Sequence, residues 1–357
     1  MRFAKLVPAL VLVGFVAMAC GGGGGGGTTP AKKIALLLPE SKTARYESKD
    51  RPFFTAKLQA LCPSCQLIYS NANQDAPTQQ TQAEAALTNG ANVLVLDPVD
   101  GAAAAAIVAK AKAKNVPVVS YDRLILGTAD LNYYLSFDNA AVGALQGTAL
   151  LTALNGKANA SVVMINGDPA DNNAKLFKQG AHSILDGKVQ IKKEYDTPSW
   201  SPDTAQKEMA GALVALGNKV DGVLAANDGT GGGAIAAMKA AGVKPLPPVT
   251  GQDAELAAIQ RILAGDQYMT VYKAIKAEAE AAATLAVDLA NGTAVPASMT
   301  NGKTVNNGAK DIPSVLLTPV AVTKANIKDT VVADGFWTKA DICTADYASA
   351  CTAAGIS

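Results

Sequence analysis

The chain has 357 residues, 49% of them hydrophobic, and a formal net charge of +1. That length suits two domains, or one large one, with a sizeable core. A charge this close to zero, with no block of Lys or Arg and no helix-turn-helix at the N-terminus, argues against nucleic acid or acidic partners.

Residues 1–19 read as an export signal. Arg2 and Lys5 form a charged start, Leu6 to Met18 is an apolar run too short to span a bilayer comfortably, and the small Ala19 precedes Cys20. Ala17-Met18-Ala19-Cys20 resembles a lipobox, where bacteria cleave and attach lipid to the new N-terminal cysteine, although Ala17 stands where Leu is usual. Lipidation of Cys20 is the expectation; an ordinary signal peptide with an incidental cysteine is the alternative. Residues 20–32, with seven consecutive glycines from Gly21 to Gly27, form a flexible tether. One lipid anchor holds a domain near a membrane without spanning it. The expected location is therefore the membrane face turned to the periplasm or the cell exterior.

From Lys33 short apolar strands alternate with helices. Strands are expected at Ile34–Leu38, Gln66–Ser70, Val93–Leu96 and Val118–Tyr121, with helices at Ser48–Leu61, Thr78–Asn89 and Gly101–Lys114 between them. The pattern then restarts. Strands at Ser161–Ile165, Val189–Tyr195, Gly222–Ala226, Val249–Gly251 and Met269–Tyr272 are interleaved with helices at Ala141–Leu154, Lys175–Leu185, Asp203–Leu216, Gly231–Ala241 and Leu256–Ala264. A long alanine-rich helix follows Lys273, then a polar stretch from Asn291 to Ile312, and a last strand at Val315–Val322. The fold class is α/β: two Rossmann-like lobes with parallel sheets.

In an exported chain, Cys62 with Cys65 and Cys343 with Cys351 read as two local disulfides. The first pair could instead be a redox motif or half a zinc site. However, it ends a helix, and no second CxxC or His cluster completes a metal site.

Ligands of parallel sheets bind outside the carboxyl ends of the strands, and the polar residues of this chain collect there. Arg45 and Tyr46 follow the first strand, and Asp122 and Arg123 the fourth. In the second half come Asp171 and Asn173, Trp200, Asn227 and Asp228, Asp253 and finally Lys273. Planar carboxylate, amide and guanidinium groups pair well with hydroxyls that both donate and accept, and flat aromatic rings suit the C–H faces of a pyranose. Each residue also has a plain reading. Asp171 to Asn173 could be a helix N-cap, Asp228 is read as one, Asp122 and Arg123 could form a structural salt bridge, and Lys273 could be solvated. Little here suggests catalysis. His182, the one histidine, lies on a helix away from the strand ends, and basic neighbours of Asp122 and Asp253 would lower rather than raise an acid's pKa. No phosphate loop or nucleophile elbow appears, so neither an enzyme nor a bound cofactor or metal is expected.

Several motifs carry a closer resemblance: Tyr121-Asp122-Arg123, Tyr134 to Asn139, Asp171 to Phe177, Asn227-Asp228 with Gly231 to Ile235, Gly251 to Ala254, and Met269 to Lys273. They make the chain similar to the type I periplasmic binding proteins of the ribose, galactose and xylose group, which serve ABC importers. The resemblance spans Lys33 to about Gly292. It implies lobes joined by a three-crossing hinge, with crossings near Asp138, near Lys273 and between Asn301 and Ile312. The N-terminal lobe would be residues 33–137 with 274–305, the C-terminal lobe 138–273 with 312–340, and 341–357 a tail. It also implies a xylose-like monosaccharide held by Arg45, Asp122, Arg123, Asp171, Asn173, Trp200, Asn227, Asp253 and Lys273. Tyr46 would supply the aromatic face where the pattern has Trp. A membrane permease is the implied partner and a monomer the implied state. Rival readings are a sensor that presents its ligand-bound form to a membrane kinase, a cytoplasmic repressor, which the export signal opposes, and a glycosidase.

Overall fold

The computed structural model describes residues 31–356; the export signal, Cys20 and the glycine tract lie outside the described residues. Two parallel sheets form the framework. In the first, β1 (Lys33–Leu38), β2 (Gln66–Asn71), β3 (Val93–Leu96), β4 (Val118–Tyr121) and β5 (Tyr133–Phe137) run parallel in the order β5-β4-β3-β1-β2. In the second, β6 (Ser161–Asn166) lies between β7 (Gln190–Asp196) and β8 (Gly222–Ala225). Val249 bridges Val223 of β8, and Val271 N–H of β9 (Met269–Tyr272) donates to Gly251 O, so the short segment around Val249 links β8 to β9.

Strand sequences that are apolar at every position belong in sheets covered on both faces. Side chains alternate across β1. Ile34, Leu36 and Leu38 pack with Phe54 and Leu58 of α1 (Arg51–Leu61), and with a row of alanines from the long helix Ile275–Asn291. Ala35 and Leu37 face the other way, toward α2 (Ala76–Thr88) and α3 (Ala105–Ala113). The second sheet is built alike. Val162 and Met164 face α4 (Asn139–Leu154) and α5 (Asn172–Leu185), while Val163 and Ile165 face α6 (Pro202–Leu216) and α7 (Asp228–Ala240). Beyond Tyr195 a short loop carries Trp200 into α6, and α8 (Leu256–Ala264) precedes β9. The helix Ile275–Asn291, α9, returns the chain to the first sheet.

Two segments depart from the sequence expectation. Tyr133–Phe137 forms β5, parallel to β4, although no helix separates them. A loop makes this crossover, so the alternation of strand and helix carries no signal for it. The expected strand Val315–Val322 is two strands in two lobes. β10 (Thr304–Asn306) pairs antiparallel with β11 (Asp311–Leu317), and β11 joins the first sheet beside β5. β12 (Val320–Thr323) pairs antiparallel with β9 in the second lobe. Pro319, which has no N–H to give a ladder, separates them. The last crossing is therefore at Thr318-Pro319, not between Asn301 and Ile312, and residues 312–317 belong to the first lobe.

The C-terminal segment also does not hang free. Ile327, Val331, Phe336, Ile342, Cys351 and Ile356 form one apolar cluster with Ile259, Ile262 and Leu263 of α8 and Tyr272 of β9. The sulfurs of Cys62 and Cys65, and of Cys343 and Cys351, lie at disulfide-bonding distance. No helix among the described residues is long and apolar enough to cross a membrane.

Candidate functional site

The strand ends of both sheets open onto one cavity. All ten residues singled out from the sequence line it: Arg45, Tyr46, Asp122, Arg123, Asp171, Asn173, Trp200, Asn227, Asp253 and Lys273. Each is 5% exposed or less. Thr43, Phe177 and Gln252 also line it. Their signals in the sequence were positional only: Phe177 lies one helical turn beyond Asn173, Gln252 precedes Asp253, and Thr43 lies two residues before Arg45.

Asp122 and Arg123 do not form the salt bridge that their adjacency allowed. Asp122 takes a left-handed backbone (φ +54°), and the two side chains find different partners. The Asp122 carboxylate receives the Tyr46 hydroxyl at 2.9 Å and Arg45 Nη1 at 3.3 Å, with Lys273 Nζ at 3.8 Å. Burial alone would raise its pKa. Arg45, then Lys273 and Arg123, outweigh burial and hold the carboxyl well below the usual range. Its carbonyl accepts from Tyr134 Oη, Ser136 Oγ and Asn173 Nδ2.

Arg45 is fixed from behind. Asp50 receives its Nε and Nη2 at 2.9 and 2.6 Å, and Glu278 of α9 receives Nη2 at 2.8 Å. Tyr121 Oη donates to Asp50 at 2.5 Å. Arg123 is ringed in the same way. Its Nε lies 3.1 Å from Asp171 and 3.6 Å from Asp97, and its Nη2 lies 3.8 Å from Glu40. Burial pushes the carboxyls of Asp97, Asp171 and Glu278 up, against the pull of their arginine neighbours.

In the second lobe, helix starts and tight turns place the polar groups. Asp171 caps α5: Oδ1 accepts Asn173 N–H at 2.8 Å, while Oδ2 accepts Trp200 Nε1–H at 3.2 Å and faces Arg123. Asn227 caps α7 through Thr230 N–H at 2.9 Å. Asp171 and Asn227 are thus caps and cavity residues at once. Asp228 turns away from the cavity, onto Gln267, Thr270 and the backbone of Glu255. Asn173 spends both ends of its amide inside the protein, Nδ2 on Asp122 O and Oδ1 on Asn139 of the first crossing. It is a bridge between lobes as much as a wall of the cavity.

Trp200 and Ser199 are both left-handed (φ +51° and +56°), and Asp168 holds Ser199 N–H at 2.5 Å. The indole then lies against Gly167, where any Cβ would fall 2.0 Å from the ring. Only glycine leaves room for this aromatic wall, which Phe177 meets edge-on at 6.3 Å. Asp253, also left-handed (φ +89°), faces Lys273 Nζ at 3.0 Å and Arg45 at 3.8 Å. Lys273 is therefore not solvated; it closes the ring of charge beside the second crossing.

His182 lies outside the cavity on α5, between Asp186 at 2.8 Å and Glu194 at 3.1 Å. Partial burial would lower its pKa, but those two carboxylates raise it.

A sequence profile described as "Periplasmic binding protein domain" matches residues 34–294. This chain belongs to the periplasmic binding protein family. The D-xylose-binding periplasmic protein of Escherichia coli (strain K12) is 41% identical over 315 residues, 87% of this chain and 92% of that protein. The multiple sugar-binding periplasmic receptor ChvE of Rhizobium radiobacter is 34% identical, over 86% of this chain and 91% of its own length. Among solved structures, an ABC transporter solute-binding protein from Clostridium phytofermentans with bound β-D-glucose superposes with a TM-score of 0.81 at 30% identity, covering 87% of this chain and all of that one. Periplasmic binding proteins of this fold bind solutes rather than transform them, and the type I arrangement of two α/β lobes is the one described above.

Proposed function

We propose that the protein binds a monosaccharide, D-xylose first among candidates, outside the cytoplasm and delivers it to an ABC importer by closing its two lobes. The observation that carries this reading is the charge balance of the sealed cavity. Among the residues that line it, three cations, Arg45, Arg123 and Lys273, face three carboxylates, Asp122, Asp171 and Asp253, while Asp50, Glu278, Asp97 and Glu40 stand behind the arginines and are not part of the lining. Such a site has no net demand for a charged ligand but many oriented donors and acceptors for hydroxyls. A missing hydroxyl would leave buried polar groups unpaired, which gives strong discrimination. The cavity is walled by buried polar side chains with one aromatic face, an arrangement that suits a single small polyhydroxylated ring. Arg45, Asp122, Arg123, Asp171, Asn227, Asp253 and Lys273 are the polar contacts in this reading. Trp200 and Phe177 form the apolar wall. Tyr46 pins Asp122 through its hydroxyl and offers a smaller face than Trp would.

Xylose is supported by the E. coli relative, and glucose, ribose or galactose remain the alternatives, the first favoured by the glucose-bound structure. The second reading is a sensor that presents the ligand-bound form to a membrane receptor kinase; the Rhizobium radiobacter relative is named a multiple sugar-binding periplasmic receptor. Titration calorimetry against xylose, glucose, ribose, arabinose and galactose tests the binding claim. Xylose is expected to bind most tightly; no monosaccharide binding below about 1 mM would end the reading.

The proposal extends to the chain ends. Residues 1–19 are removed, Cys20 is lipidated, and residues 20–32 tether a monomeric binding domain to the membrane. Cys62 with Cys65, and Cys343 with Cys351, are oxidised after export. Cys20→Ser should release the protein into the soluble fraction, and membrane retention of that variant would contradict the anchor.

A further inference from the structure

One strap of chain outside the cavity touches both lobes beside the site. Phe336 and Trp337 follow the last strand and lie past the residues 34–294 that match the family. On the second lobe, Trp337 Nε1–H donates to Ala254 O at 2.8 Å. Ala254 is left-handed (φ +49°) directly after left-handed Asp253, a pairing that costs energy for residues other than glycine and needs outside support. Nearby, Asp334 accepts the hydroxyl of Tyr272, the residue before Lys273, at 2.9 Å, and Phe336 meets the Tyr272 ring edge-on. On the first lobe, Lys49 sits in the same π-helical turn as Tyr46, four residues after Arg45. Its ammonium donates to Phe336 O at 2.5 Å and lies 3.6 Å from the centre of the Trp337 ring and 4.8 Å from that of Phe336. Phe53 of α1 packs against the same apolar cluster.

We propose that Lys49 and the Phe336–Trp337 pair form a clasp that positions the Asp253 turn and holds the lobes together once sugar is bound. The pair keeps its contact with Ala254 whether the lobes are open or closed, because both lie on the second lobe. The contact with Lys49 exists only when the lobes meet. It therefore adds free energy to the closed form alone, and that addition appears as tighter binding. A half-buried ammonium over an indole is among the stronger cation–π arrangements. The gain falls on release rather than capture, since the encounter precedes closure. Lys49 and Trp337 touch no ligand in this arrangement; they act as positioning residues.

The proposal rests on the monosaccharide reading, and its test separates the two. Wild type, Lys49→Met, Lys49→Arg and Trp337→Phe are compared by calorimetry and stopped-flow release, with D-xylose as probe, or the tightest of the five sugars if xylose is not it. Lys49→Met keeps the aliphatic stem but loses the charge and the donor. It should weaken affinity about ten-fold, which is about 1.4 kcal/mol, through faster release at an unchanged association rate. Its melting temperature without sugar should match wild type, which a merely structural role would not allow. Lys49→Arg should restore most of the affinity. Trp337→Phe keeps a ring but drops the hydrogen bond to Ala254, and should lose several-fold. Wild-type release rates in both Lys49→Met and Trp337→Phe would overturn the clasp while leaving the sugar reading intact. A wild type that binds none of the five sugars would overturn both.

Discussion

The two walls of the cavity are built by different means. The first lobe contributes arginines, and each is clamped by carboxylates that stand behind it: Asp50 and Glu278 for Arg45, Asp97 and Glu40 for Arg123. The second lobe contributes carboxylates and amides, and backbone holds them: helix caps at Asp171 and Asn227, and left-handed turns at Trp200 and Asp253. Ion pairs buried this deeply gain little net stability, but breaking one is costly because a lone charge stays behind. A cap or a turn can be altered at a cost of about 1 kcal/mol. The first wall should therefore couple binding to folding, and the second should let them be separated.

The sharpest way to break that contrast is Arg123→Ala. It removes a proposed ligand contact and strands Asp97, Asp171 and Glu40 together. Xylose affinity should fall at least about 100-fold, and unfolding in urea should show a loss of about 3–5 kcal/mol. A variant that loses binding at wild-type stability would mean the carboxylates do not depend on that arginine. Gly167→Ala probes the other wall. A Cβ would fall 2.0 Å from the Trp200 ring, so the indole must move. Affinity should fall about ten-fold, with a stability loss of only about 1–3 kcal/mol. Unchanged affinity would remove Trp200 from the binding surface.

The smallest effect concerns Glu255, at the start of α8, where the walls meet. Burial raises its carboxyl pKa, Asp228 and Asp253 raise it further, and Arg261, then the backbone N–H of Ala44 in the first lobe, oppose them. An acid raised in the folded state favours folding fully below its unfolded pKa, and that contribution is lost as pH climbs toward the folded value. Between about pH 5 and about pH 8 the protein should lose on the order of 2 kcal/mol of stability. Glu255→Gln should flatten that slope in thermal melts; an unchanged slope would assign the titration to another group, such as Asp228.

Much of this architecture could be read from the residues, because burial on both sheet faces writes itself as short apolar runs and polar residues gather where those runs stop. What stayed hidden involves pairing across long stretches of chain. Nothing local marks Glu278 as the counter-ion of Arg45, since 233 residues separate them. Adjacent charges such as Asp122 and Arg123 suggest a pair, yet a left-handed backbone at Asp122 sends them apart. Strand β5 escaped because its crossover is a loop, and β11 and β12 merged because each is short and only Thr318 and Pro319 divide them. The role of Trp337 is invisible for the same reason: its partners, Lys49 and Ala254, are far away in sequence.

The balance of charge inside the cavity bears on where such a protein can work. Exposed charges are screened by dissolved ions over about 8–10 Å at moderate ionic strength, whereas buried pairs are screened much less. The arginines, the lysine and the carboxylates of this site are all sealed between the lobes and offset one another. Capture of a neutral ligand there draws on no long-range attraction that salt could weaken. Ligand affinity at such a site should therefore stay nearly constant as the salt concentration outside the cytoplasm rises and falls.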